Sequence, residues 1–184
     1  MISQFSREGE HKTLADLDFK FPSDVYPVGR LDTDSEGLLL LTNNKKLNHR
    51  LLNPAFQHKR VYLVQVEGLA TEEACKKIAQ GVVISVDGKK YTTEKCSARI
   101  ADEPVGIPER VPSIRFRKTI PTSWIELTLT EGKNRQVRKM TAAAGFPTLR
   151  LIRTHIEEIS LNDMLPGEAR EMKESEVMQL LQLR

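Results

Sequence analysis

Hydrophobic periodicity in this chain switches between two residues and about 3.6 without ever settling into a regular strand–helix–strand alternation, which argues for an α+β fold. Residues 124–130 alternate Ile125, Leu127 and Leu129 with Glu126, Thr128 and Thr130, the signature of a half-buried strand. Residues 60–67 are rich in β-branched and aromatic side chains and stop at Gly68, so they form a second strand. The Leu38–Leu41 run, bounded by Gly37 and Asn43, is long enough for one buried strand and too short for a helix. Asp87-Gly88 marks a hairpin joining residues 82–86 to 89–93, with a further strand over 95–101. Strands are also expected near 148–154 and 168–172. Between these lie helices with recognisable ends: Thr13 caps a short one through Leu17, and Asn44 caps 45–52, which Asn53-Pro54 closes. Thr71, followed by two glutamates, opens a helix that Gly81 stops, Asn134 caps one running to Ala144, and a terminal helix covers 175–182.

A chain of 184 residues can bury a sizeable core as one domain or as two small lobes sharing a sheet. Its longest apolar run is far short of a membrane span, and the first residues lack the apolar stretch of a secretory signal, so a soluble cytoplasmic protein is expected. Cys75 and Cys96 read as reduced residues, and His11, His49, His58 and His155 are scattered without metal-ligand spacing. Net charge divides unevenly: −2 over residues 1–29, +9 over 30–154 and −4 over 155–184. A basic middle between acidic ends suits a polyanion-binding face. The segment 103–122 sharpens that bias, with Pro104, Pro108, Pro112 and Pro121 interleaved among Arg110, Arg115, Arg117 and Lys118; it reads as a long basic loop.

Residues 29–43 place Asp32 between Arg30 and the apolar run that follows. A carboxylate beside a cation in a loop anchored by core can stay ionised in a partly desolvated site. Asp32, Asp34, Glu36 and Gly37 also occupy positions one, three, five and six of a calcium-loop pattern. Its twelfth position here is Asn43 rather than a bidentate glutamate, and strand-like sequence replaces the exiting helix, so calcium binding is not supported. A polar turn capping a strand is the plainer account of the same residues. In the helix after Asn134, Val137, Met140 and Ala144 share one stripe and Arg135 with Lys139 another, while Arg138 lies between them, where its guanidinium could be half-buried against an anion.

Three long blocks stand in a fixed order: Gly29-Arg30-Leu31-Asp32 with Gly37 to Asn43, then Val61 to Gly68, then Glu131 to Met140. With Phe146 to Arg153 as a fourth, they make the chain similar over nearly its whole length to the RsuA-type pseudouridine synthases, particularly the ribosomal large-subunit synthase E branch. The resemblance implies a mixed, mainly antiparallel sheet in two subdomains with a central RNA-binding cleft, and a cofactor-free isomerisation of a specific uridine to pseudouridine. It implies that Asp32 is the catalytic aspartate, that Tyr62 stacks near the target base and takes part in proton transfer, and that Arg138 pairs with Asp32. Arg30, Arg60, Lys133, Arg135 and Lys139 become candidate RNA contacts. The substrate would be large-subunit (23S) ribosomal RNA, with the target base extruded from its stack. No metal, membrane or obligate protein partner is expected, and a monomer is.

The same resemblance leads one to expect an apolar strand and an Asn-Lys-Pro segment ahead of Ile2-Ser3-Gln4-Phe5. Residues 1–184 are thus expected to be a catalytic domain without its first strand and without an S4-like RNA-binding domain. Arg60 stands where the pattern usually has lysine, which keeps charge but not geometry. Two other functions fit the residues: a non-catalytic RNA-binding protein using the same basic face, and a hydrolase using Asp32 with Asp34 or Glu36.

Overall fold

The computed structural model describes every residue except Arg115, Phe116, Lys118 and Arg184. Two arginine and lysine positions of the expected basic loop, Arg115 and Lys118, therefore lie outside the described residues. The strands are β1 (Tyr26–Pro27), β2 (Glu36–Gly37), β3 (Leu41–Thr42), β4 (Arg60–Glu67), β5 (Val83–Val86), β6 (Lys89–Thr92), β7 (Ser97–Ala101), β8 (Thr122–Leu129), β9 (Thr148–Ile156) and β10 (Ile159–Ser160). The helices are α1 (Lys45–Leu52), α2 (Glu72–Gln80), α3 (Gln136–Ala143) and α4 (Glu174–Leu180). This is an α+β fold built on one mixed, mainly antiparallel sheet.

Among the described residues, six strands form that sheet: β10, β9, β4, β8 and β7 lie side by side, and β2 joins the sheet through β9. The central pairings are antiparallel, and β2 runs parallel to β9 with Glu36 opposite Ile152 and Gly37 opposite Arg153. At the centre, Tyr62 of β4 is flanked by Leu127 on one side and Arg153 on the other. Apolar side chains gather in two cores. Val64, Val66, Ile125, Leu127 and Leu151 pack with Cys75, Ile78, Val137 and Met140 of α2 and α3; Val28, Leu38, Leu51, Ile156 and Ile159 pack with Leu181 and Leu183.

Local chemistry sets the helix ends. Asn44 accepts from the backbone of Lys46 and Leu47, and Thr71 from Ala74, satisfying first-turn donors that no carbonyl reaches. Helix α3 departs from expectation. Its capping position is Arg135, held at φ 52° with no side-chain cap, rather than Asn134. Gln136 takes over, its Oε1 accepting from the Lys133 N–H at 2.8 Å.

Two expected strands are altered. The Leu38–Leu41 run is extended but divided between partners: Leu38 N–H donates to the Arg153 carbonyl, the Leu40 carbonyl accepts from Val28 N–H, and regular pairing resumes only at Leu41. Gly37 makes the first of these contacts possible. It sits at φ 106°, and a Cβ there would overlap the Arg153 carbonyl oxygen and stand 2.7 Å from its nitrogen. Residues 168–172 form no strand; Arg170 folds back on Glu168 and Asp163, and Leu165 N–H donates to the Glu168 carboxylate, so the segment is a side-chain-braced turn. The short strand pairing with β9 is Ile159–Ser160 instead.

Candidate active site

The Asp32 loop leaves β1 through Gly29 and returns to the sheet at β2, so one end is fixed by β9. Its other flank is held by the N-terminal segment. Ser3 Oγ accepts from Leu31 N–H at 3.0 Å and faces the Leu31 carbonyl oxygen at 3.2 Å, as donor to it, immediately before Asp32. Across the loop, Arg135 donates two bonds of 2.9 Å to the Asp34 carboxylate. Arg138 reaches the Asp34 carbonyl oxygen at 2.6 Å and Ser35 Oγ at 3.4 Å, with the Asp34 carboxylate 3.5 Å away.

The geometry corrects the expected pairing. Within salt-bridge distance, Asp32 meets Arg135, at 3.7 Å, and Arg138 is engaged with Asp34 and Ser35. Hydrogen bonding from Arg135 holds the Asp34 carboxyl below the usual carboxylate range, with partial burial opposing it. Burial pushes the Arg138 guanidinium down, opposed by the Asp34 charge. Glu36 is secured in its turn: Arg150 donates to it at 2.9 and 2.7 Å, and Arg110 lies 3.4 Å away. Each carboxylate flanking Asp32 is thus locked by two-pronged arginine bonds, and the acidic turn is a set of anchors rather than a calcium cradle.

Asp32 faces a cavity of about 350 Å³ that lies where the two cores meet, with Val28, Leu51 and Ile156 from one and Leu129, Val137 and Leu151 from the other in its walls. Tyr62, Arg30, Arg60, Lys133 and Arg135 line it too. A second hollow of about 330 Å³ adjoins it, sharing Arg30, Leu31, Asp32 and Arg135 and extending along Gln4, Glu8 and His11. Asp32 and Arg135 therefore stand on the divide of a continuous groove. Arg138 and Lys139 are absent from both linings; Arg138 works from behind the loop. Arg60 lines the cavity with its guanidinium committed to the Leu51 carbonyl at 2.7 Å and the His58 carbonyl at 3.4 Å.

Two further residues belong to this site. Arg153, buried at 5% exposure, lines the cavity as the cross-strand neighbour of Tyr62. Glu131, 6% exposed, also lines it and accepts from Tyr91 Oη at 2.5 Å, Glu94 N–H at 2.8 Å and Gln136 Nε2 at 2.5 Å. Glu131 thereby ties the turn carrying Lys133 and Arg135 to β6. An arginine directly after Leu151-Ile152 in β9, and a glutamate directly after the alternation of β8, are the sequence signals that mark them.

A sheet bearing a loosely paired aspartate in a cation-lined groove has the layout of an enzyme acting on a polyanion. Comparison with known proteins makes the class specific. The RNA pseudouridylate synthase family model matches residues 4–143. Ribosomal large subunit pseudouridine synthase E of Vibrio parahaemolyticus is 44% identical over 173 residues, covering 94% of this chain and 69% of that protein. The synthase E of Xanthomonas axonopodis is also 44% identical, with coverage of 90% and 85%. A crystal structure of a pseudouridylate synthase superposes with a TM-score of 0.71 at 28% identity, over 88% of this chain and 63% of that one. The chain belongs to the RNA pseudouridylate synthase family, whose members are isomerases.

Proposed function

We propose that this protein converts a uridine of large-subunit ribosomal RNA to pseudouridine, with Asp32 as the carboxylate at the reacting sugar or base. The observation that carries the reading is the placement of Asp32 and Tyr62 around one cavity rimmed by Arg30, Lys133 and Arg135. Detaching a base and rejoining it through carbon needs a nucleophile or charge stabiliser and a wall that keeps the base in place, without redox chemistry. Asp32 supplies the first and Tyr62 the second. The rim cations hold the phosphates around an extruded nucleotide. Ribosomal RNA as substrate rests on the names of the relatives, and a cytoplasmic monomer working without an obligate protein partner is the simplest arrangement for it.

The locked state of Asp34 and Glu36 disfavours the hydrolase alternative, because neither is free to take over as a second acid or base. The test is to incubate the protein with unmodified large-subunit ribosomal RNA and map pseudouridine. Conversion of one uridine in intact RNA, abolished in Asp32→Asn, is the expected result. RNA binding without conversion would establish the non-catalytic reading instead, and cleaved RNA the hydrolase.

A further inference from the structure

The deepest cation of the groove is the one its sequence motifs do not single out. Arg153 Nε donates to the Leu38 carbonyl at 2.8 Å, which fixes the plane of the guanidinium, while Nη2 is buried and has no hydrogen-bond acceptor among the described residues. Burial pushes this guanidinium down from its ordinary value, with the Tyr62 hydroxyl the main opposing influence. No carboxylate lies within 4.0 Å of it among the described residues. A buried cation with an idle donor is costly to a fold and calls for an explanation. The other cavity-lining arginines are differently placed: Arg60 is spent on backbone carbonyls, Arg135 on Asp34, and Arg30 is exposed at the mouth.

We propose that Arg153 is a catalytic residue, its guanidinium in the cavity wall taking up a carbonyl oxygen of the target uracil when the base enters and stabilising the negative charge that gathers there as the glycosidic bond breaks. This rests on the isomerase reading above. When the C1′–N1 bond breaks, its electron pair stays with the base and spreads over N1, O2 and O4. The base turns, C5 bonds to C1′, the proton on C5 departs and N1 takes one up, so composition is unchanged. A preorganised cation acts most strongly on such charge where water is excluded. Tyr62, the neighbour of Arg153 across the β4–β9 pairing, offers a ring against the base while the guanidinium meets its edge.

The test compares wild type, Arg153→Met and Arg153→Lys by single-turnover conversion of a large-subunit ribosomal RNA fragment and by RNA affinity. In parallel, calorimetry measures binding of uracil and of 5-nitrouracil, an anion at neutral pH, to wild type and variants. Arg153→Met should lose about 100-fold or more in conversion rate, with RNA affinity kept within roughly twofold. Wild type should prefer 5-nitrouracil to uracil, and the methionine variant should not. A folded Arg153→Met that retains its rate overturns the proposal. So does a parallel loss of rate and RNA affinity, which would make Arg153 a phosphate contact. If the methionine variant does not fold, Arg153→Lys decides: it keeps charge but not the planar donor edge, so a substantial loss supports the proposal and full activity overturns it. A wild type that makes no pseudouridine defeats the isomerase reading, and the 5-nitrouracil preference then decides the role of Arg153 alone.

Discussion

Arg135 grips Asp34 through two bonds of 2.9 Å while standing 3.7 Å from Asp32, two residues earlier in the same loop. One guanidinium thus fixes the loop and lends its charge to the carboxylate that faces the groove. Arg135 makes these contacts from a left-handed backbone, at φ 52°, immediately before the first residue of α3.

Removing Asp34 should therefore harm the site more than its distance from the reacting atoms suggests. Asp34→Ala leaves Arg135 without its anchor and the half-buried Arg138 without its anion, and turnover should fall about tenfold or more with little change in RNA affinity. Asp34→Ala and Arg138→Ala should be non-additive in a double-mutant cycle, since they remove opposite ends of one contact. The pH dependence has a defined sign. Folded Asp34 holds its proton more weakly than an ordinary aspartate does, so the unfolded chain takes up that proton first on acidification. Its stabilisation is complete above the unfolded value and is lost as pH falls through the lower folded one. In urea titrations, the stability difference between wild type and Asp34→Asn at pH 7 should narrow progressively as the solution is acidified.

Lys133 and Lys139 separate groove contacts from mere surface charge. Lys133 lines the cavity, its ammonium 4.9 Å above the Tyr91 ring, whereas Lys139 lines neither hollow. Lys133→Ala should weaken RNA binding and reduce the salt dependence of log affinity by about one unit of slope, and Lys139→Ala should leave both nearly unchanged. Filter binding over a range of salt concentrations distinguishes them.

Tyr91 offers a test at the alkaline end. Its hydrogen bond to Glu131 pushes the phenol up to about 12 from 10.0. An unfolded tyrosine loses its proton first as pH rises, so the stabilisation from this pair is whole below pH 10.0 and declines toward about 12. Tyr91→Phe should be less stable by roughly 1–2 kcal/mol at neutral pH and should lose that alkaline component of the stability profile. Because Glu131 braces the turn bearing Lys133 and Arg135, the variant should also bind RNA more weakly.

What the sequence made legible was mostly local. Asn44 and Thr71 announce the starts of α1 and α2, and β4 spans the residues its composition indicates, because caps and periodicity act over a few residues. The division of the Leu38–Leu41 run was hidden because it depends on Arg153 and Val28, which arrive from different parts of the chain. The same limit applies at the groove. Asp32 and Tyr62 could be nominated from their blocks, but the choice of Asp34 over Asp32 by Arg138 is decided by a loop path more than 100 residues away in sequence. Ser3, Glu131 and Arg153 carry no local pattern that predicts their partners.

Gly37 should tolerate no side chain. With φ at 106° and the Arg153 backbone against it, Gly37→Ala must break the β2–β9 pairing or displace β9, costing about 3 kcal/mol or more. Thermal melts should register the loss, and turnover should fall with it because the Asp32 loop loses its fixed end.

Ser3 should prove a positioning residue for Asp32. Its hydroxyl serves both the N–H and the carbonyl of Leu31, so Ser3→Ala leaves two backbone groups beside Asp32 without that partner, while the rim cations are untouched. Stability should fall by roughly 1 kcal/mol, and kcat by about tenfold with KM for RNA nearly constant, because the loop loses registration rather than charge. Ser3→Thr retains the hydroxyl and should restore most of kcat. A cysteine, with a weaker donor and a longer bond to sulfur, should fall between alanine and threonine. Steady-state kinetics on the four proteins, read beside their melting temperatures, separates registration from simple destabilisation: if kcat tracks melting temperature alone across the series, Ser3 holds the fold and not the aspartate.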